Sequence, residues 1–384
     1  GRRLTAVAPT MHANLRAVTP PATSDATTPQ FSFSAGPAAL PAPVRERIRD
    51  EFGDFAGTGR PVLELPFSGP EFRDVMARAE RDLRTLLTVP DDHAVLFLQG
   101  GASAQFGLLP QNLGTGPAGA DYVDTGYWSR KTIAEAARVT HVGVAATGAD
   151  HIPDATTWRV RPDAAYLHVT TNETADGLAF HDTPVHPSHV PLVADMSSDF
   201  LTRPIDVADW GVIYASAQKN IGPAGLTVVL VRRDLLGRAH RSVPAVFDYT
   251  RQDEAGSRFN TPPTFAIYVA GLVLEWLLSH GGVAAMALAN RRKSAAVYDA
   301  IDDSDGFYRC GIRADCRSHV NVCFRIADEA LTDRFVASAR EEGLLDLAGH
   351  SRVGGLRASL YNAVPEAAAT ALAAFMRGFQ RRHG

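Results

Sequence analysis

One lysine, in the run Ala215-Ser216-Ala217-Gln218-Lys219-Asn220-Ile221-Gly222-Pro223-Ala224-Gly225, stands between two short stretches that carry no charge. These stretches, Gly211 to Tyr214 and Leu226 to Val231, have the length and β-branched content of buried strands. A lysine at the mouth of a sheet is poorly solvated. Loss of water disfavours the ammonium, lowers the pKa and makes the amine a usable nucleophile. The plain alternative is a solvated lysine on a surface turn.

Other residues along the chain could share that chemistry. Ala94 to Leu98 reads as a strand and runs into Gln99-Gly100-Gly101-Ala102-Ser103 ahead of helical spacing. Strand, glycine turn and helix aim free backbone N–H groups at an anion such as phosphate, with Ser103 as a further donor; the same pattern also makes an ordinary tight turn. No Gly-Lys-Ser/Thr closes it, so it is not a Walker loop. Trp128 follows the strand-like Tyr122 to Asp124, and can stack on a planar ligand or fill the core. Thr170-Thr171-Asn172-Glu173-Thr174 follows Ala165 to Val169, and Asp195-Met196-Ser197-Ser198 follows Val190 to Ala194. Asp195 can serve as an acid partner or simply as a helix N-cap.

These residues need a frame. Strands alternating with helices, each strand ending in polar residues, predict a mostly parallel α/β sheet with a site along one edge. Four strand ends then offer phosphate donors, an aromatic plate, a carboxylate and a lysine. Pyridoxal 5'-phosphate requires that set: an amine for its aldehyde, an acid for its pyridine nitrogen and a helix N-terminus for its phosphate. Further predicted elements are a helix from near Pro43, an extended run Val62 to Leu65, and helices over Glu71 to Leu87 and Ser129 to Val139. Phe265 to Leu278 reads as a buried helix ending at His280-Gly281-Gly282. From about Ala285 the pattern restarts, with a strand at Val320 to Ile326, a helix over Leu331 to Glu342, a strand carrying Arg357 and a last helix after Pro365. The expected division is a disordered extension over 1–30, a large cofactor-binding domain over 31–284 and a smaller C-terminal α/β domain over 285–384.

Composition narrows the class. The chain has 384 residues, is 45% hydrophobic and 21% charged, and has a net charge of −4, as expected of a soluble globular protein of two domains. Nothing is basic enough for a nucleic-acid footprint. The three cysteines, Cys310, Cys316 and Cys323, lack CxxC spacing, which points to reduced structural thiols, no metal site and a cytoplasmic setting. No apolar run reaches bilayer-spanning length, so no membrane role is expected, and residues 1–30 lack the apolar core of a secretory signal.

Ser34-Ala35-Gly36-Pro37, Gly100-Gly101-Ala102-Ser103, Asn172-Glu173-Thr174, Ala194-Asp195, Ala217-Gln218-Lys219-Asn220, Asn260-Thr261-Pro262-Pro263 and Arg357-Ala358-Ser359-Leu360-Tyr361-Asn362 together resemble the phosphoserine aminotransferase family, in order, from Phe31 to the C-terminus. The resemblance implies a fold-type-I pyridoxal-phosphate transferase, a large domain with a mixed sheet plus a smaller one, and a homodimer with shared active sites. It implies Lys219 as the cofactor-bonding lysine and proton carrier, Asp195 at the pyridine nitrogen and Trp128 stacked on the ring. Thr174 would bond the phenolic oxygen. Ala102, Ser103 and Gln218 would hold the phosphate, joined by Asn260 and Thr261 from the second subunit. Arg357 would take the substrate α-carboxylate.

The distal pocket departs from the family. Where the family usually has Ser-His-Arg, this chain has Pro66-Phe67-Ser68; where it usually has Gly-His-Arg or Gly-His-Lys, this chain has Gly349-His350-Ser351-Arg352. Each lost charge-assisted bond removes roughly 1.5–3 kcal/mol, so two weaken a dianion's binding roughly 10²- to 10⁴-fold. Neighbouring residues of an extended segment face opposite ways, so Arg352 does not directly replace an arginine at 351, while His350 can still donate one bond. The reading is an aminotransferase with specificity shifted away from phosphoserine. The alternatives are a genuine phosphoserine:2-oxoglutarate aminotransferase of serine biosynthesis with a rebuilt clamp, a β-elimination or replacement enzyme on the same cofactor, and a non-catalytic scaffold.

Overall fold

The computed structural model describes residues 29–384, so the expectation for 1–30 lies, but for its last two residues, outside the described residues. Short apolar runs line up into a seven-stranded sheet. Its order is His93–Gln99, Leu226–Arg232, Val212–Ser216, Leu192–Asp195, Leu167–Thr170, Ala120–Asp124 and Val142–Thr147. Only Leu226–Arg232 runs against its neighbours; the other pairs are parallel. The stretch that joins it to Val212–Ser216 is too short for the crossover of roughly a dozen residues that a parallel return needs. The lysine turn therefore closes an antiparallel pair at the sheet's carboxyl edge.

Both faces of the sheet are covered, and alternate residues sort between them. Val228 and Leu230 enter the core shared with helices Pro70–Leu87 and Thr264–Ser279. Val229 and Val231 enter the core shared with helix Gly101–Asn112. Each such side chain contributes roughly 1.5–3 kcal/mol by burial. A one-residue slip would exchange the faces, so the register that places the strand ends is held along the whole strand. Thr264–Ser279 is buried almost all round, as its composition requires. Among the described residues no single helix is long and apolar enough to cross a membrane.

Several local expectations differ from the structure. Val62–Glu64 is a 3-10 turn and not an extended run, because Leu65 N–H closes back onto the Val62 carbonyl. Val142–Thr147, not among the predicted elements, is a strand at the sheet edge and is half exposed. The helix expected over Ser129 to Val139 spans Tyr127–Ala136, so Trp128 lies in its first turn.

The C-terminal part has its own core, built on strands Leu356–Ser359, Asn321–Ile326 and Tyr308–Arg309 and on helices Thr332–Glu341 and Glu366–His383. Its packing does not follow the 284/285 division. Phe31–Ser32 pairs in parallel with Leu344–Leu345, and Phe33 is fully buried in the C-terminal core, because an apolar Phe-Ser-Phe segment gains more there than in water. Helix Gly282–Asp302 serves both cores, with Val283 and Met286 in one and Val297 and Ile301 in the other.

Candidate active site

The carboxyl ends of the strands surround a cavity of about 330 Å³. Lys219 reaches it from the turn after Val212–Ser216, where the Ile221 and Gly222 N–H groups both bond the Ala217 carbonyl. Its Nζ donates to Thr174 Oγ1 at 2.7 Å and lies 5.7 Å from the centre of the Trp128 ring. Burial pulls the amine down from its ordinary 10.5 to about 8, although the negative charge of Asp195 opposes the shift. A near-neutral amine in a cavity is a nucleophile and a proton carrier.

Asp195 ends the strand Leu192–Asp195 and is buried. Burial raises its carboxyl pKa, against a hydrogen bond from the Ser197 N–H at 2.9 Å and the attraction of Lys219. A cationic ring nitrogen would pair with such a carboxylate.

The anion cradle forms between strand His93–Gln99 and helix Gly101–Asn112. Gly100 and Gly101 have φ of +99° and +66°, in the left-handed region that glycine alone enters without strain. A Cβ on Gly100 would also lie 2.6 Å from that of Ala104. Ser216 Oγ accepts from the Ala102 N–H at 2.6 Å and closes the cradle onto the lysine strand.

The aromatic plate is held from a different direction. The indole Nε1 of Trp128 is buried with no partner. His350 packs on Tyr127, with ring centres 4.4 Å apart, and edge-on to Trp128 at 6.0 Å. Burial and the nearby charge of Arg357 lower the His350 pKa, which disfavours its charged form. Arg357, on the strand paired with Asn321–Ile326, donates to the Thr174 carbonyl at 3.3 Å and faces the cavity.

Of the expected site residues, Ala102, Ser103, Trp128, Thr174, Asp195, Gln218, Lys219, His350 and Arg357 line this one cavity. Six do not line it. Asn260 lines a neighbouring cavity, and the Thr261 carbonyl accepts from Gln99 Nε2 at 3.2 Å. Phe67 packs against the large core and Ser68 is exposed, because their turn leads into helix Pro70–Leu87, which packs on that core. Ser351 and Arg352 are exposed beside His350. Sequence reasoning missed Ser216, whose signal was a hydroxyl at the last position of an apolar strand.

The residues present fit pyridoxal 5'-phosphate. A partly neutral lysine amine, a buried carboxylate and a glycine cradle converge on the cavity. Among the other lining residues, Trp128, Thr170 and Asn172 each keep a buried polar atom without a partner. Ser103, Ser197 and Ser198 add hydroxyls to the charged lining, which suits a polar guest.

A family model described as aminotransferase class-V matches residues 30–372. The phosphoserine aminotransferase of Laribacter hongkongensis is 51% identical over 358 residues, covering 92% of this chain and 99% of its own length. That of Azotobacter vinelandii is 52% identical over 358 residues, with 92% and 99% coverage. Among solved structures, phosphoserine aminotransferase from Bacillus circulans subsp. alkalophilus superposes with a TM-score of 0.91 at 43% identity, covering 93% of this chain and 100% of that one. The PLP-bound phosphoserine aminotransferase of Trichomonas vaginalis gives 0.87 at 38% identity, with 91% and 99% coverage.

Proposed function

This chain belongs to the class-V aminotransferase family and is a pyridoxal-phosphate-dependent aminotransferase, and from that premise we propose the roles of its residues and the class of its substrate. The bound cofactor supplies an electrophilic aldehyde carbon and a ring that accepts electrons from the substrate's Cα–H bond. Lys219 Nζ would hold the cofactor at its aldehyde carbon and would carry the proton to and from the substrate's Cα. Asp195 keeps a proton on the ring nitrogen. Trp128 stacks on the ring, and Thr174 Oγ1 donates to the phenolic oxygen. Ala102, Ser103 and Gln218 hold the phosphate, and Arg357 grips the α-carboxylate bidentately. The observation that carries this assignment is the Lys219–Thr174 contact at 2.7 Å in the cavity that Asp195 also lines.

The substrate we propose is an amino acid, with its 2-oxo acid, whose distal group is less anionic than a phosphate monoester. The lowered pKa of His350, which lines the cavity, and the uncharged Ser351 that follows it in sequence support it. A second copy of the chain would bring Asn260 and Thr261 to the cavity they do not reach in their own subunit; a homodimer is therefore part of the reading.

A second reading, phosphoserine itself as amino donor, is favoured by the names of relatives about half identical along nearly the whole chain. Steady-state kinetics separates the two. The first reading expects kcat/KM for phosphoserine below about 10⁴ M⁻¹s⁻¹ and a rise of roughly 10²- to 10⁴-fold in the double variant Ser68→Arg, Ser351→Arg. A wild-type value above about 10⁴ M⁻¹s⁻¹ establishes the second.

A further inference from the structure

In the helix that carries Trp128, Ser129 Oγ accepts from the N-cap Gly126 N–H at 2.9 Å, and no side chain of the helix meets the N–H groups of residues 127–129. Those N–H groups are met by two carboxylates from a loop far away in sequence. The Tyr127 N–H donates to Asp176 Oδ2 at 2.9 Å. The Trp128 N–H donates to Glu173 Oε2 at 2.7 Å, and the Ser129 N–H donates to Glu173 Oε1 at 2.9 Å. Residue 126 is glycine for a steric reason: a Cβ there would lie 2.7 Å from both Asp176 Oδ2 and Glu173 Cδ. Glu173 is fully buried, and burial pushes its carboxyl up to about 7 against the pull of its N–H donors. A buried carboxylate at a helix N-terminus is held by the free N–H groups and the helix dipole, and in return it fixes where the helix starts.

The next residue along the loop is Thr174, which accepts from Lys219 Nζ. One dipeptide therefore touches the elements on either side of the place assigned to the cofactor ring. We propose that Glu173 is a positioning residue: by accepting from the Trp128 and Ser129 N–H groups it sets the indole over the cofactor ring, in register with the lysine that Thr174 holds. This rests on the reading of Trp128 as the stacking plate.

The test is a double-mutant cycle of Glu173→Gln and Trp128→Phe, read by titrating pyridoxal 5'-phosphate into apoprotein, by tryptophan fluorescence quenching and by kcat. Glutamine keeps one acceptor but turns an amide donor toward the other N–H. Glu173→Gln should weaken cofactor binding roughly tenfold or more and reduce the quenching. In the Trp128→Phe background the same change should alter binding by less than about twofold. Equal fold-changes in both backgrounds, or none in either, overturn the proposal and leave the reading of the site standing. A Trp128→Phe protein with unchanged cofactor affinity and kcat overturns both. If Glu173→Gln does not fold, Glu173→Asp is read in the same way. In wild-type apoprotein the Trp128 and Ser129 amides should exchange as slowly as those of the helix interior, and fast exchange overturns the proposal without any variant.

Discussion

Lys219 is a partly buried lysine on a cavity wall, short of the water that an exposed ammonium has. Its amine loses its proton near pH 8 where an ordinary lysine holds it to 10.5, so the reactive neutral fraction rises steeply from pH 7 to 9. The rate at which added pyridoxal 5'-phosphate develops its visible absorption band in apoprotein should rise over that range with an inflection near 8. Lys219→Ala should show no such band. Linkage gives the matching stability term. Between pH 8 and 10.5 the unfolded chain binds more protons at this position than the folded one, so this residue makes the apoprotein more stable as pH rises through that window. Lys219→Ala should lack that slope in urea titrations. At the other end of the site, Arg357→Lys keeps the charge but loses the planar fork. A fall in kcat/KM of roughly tenfold or more is expected for every amino acid tried, since all share the α-carboxylate.

At the scale of elements, the turn after the Arg357 strand is tied down by a buried lysine. Lys293 Nζ donates to the carbonyls of Leu360, Tyr361 and Val364 at 2.8, 2.7 and 3.0 Å, three acceptors for an ammonium's three N–H groups. Asn362 in that turn gives its N–H to Asn220 Oδ1 at 3.1 Å, beside the active lysine. Lys293→Met leaves three buried carbonyls without donors and should lower unfolding stability by about 3 kcal/mol or more, read as the urea midpoint. This device was illegible in the sequence, where Lys293 is one charge in an ordinary helix. The sheet was legible because its strands are short apolar runs that end in chemistry, as at Gly100, Asp195 and Lys219. Val142–Thr147, made of small residues at an exposed edge, carries no such signal. Glu173 stood within a noted motif, but a cap whose partner lies 45 positions away follows no local spacing rule.

At the scale of the whole molecule, the two cores are joined through one helix and through the loop that bears Thr174. The Ala179 N–H bonds the Cys316 carbonyl and the Ser318 N–H bonds that of Gly177, both at 2.8 Å. Movement of the C-terminal part therefore reaches the lysine's partner directly. Phe33→Ala, which empties a fully buried site in the C-terminal core, should cost about 3–5 kcal/mol and speed amide exchange around Leu344 and Leu345 before it affects the large sheet. Sedimentation of the wild-type protein should give a dimer, and mixing Lys219→Ala with Asn260→Ala subunits should restore part of the activity if each site draws on both chains.

The pairing of Phe31–Ser32 with Leu344–Leu345 also constrains how the protein is made. Ser32 and Asp346, bonded at 2.7 Å, are 314 positions apart, so the early strand emerges from the ribosome long before its partner has been translated. During that interval an apolar Phe-Ser-Phe segment has nowhere to dock. Until Leu344–Leu345 has been made, that segment lacks its native partner and is open to non-native apolar contacts.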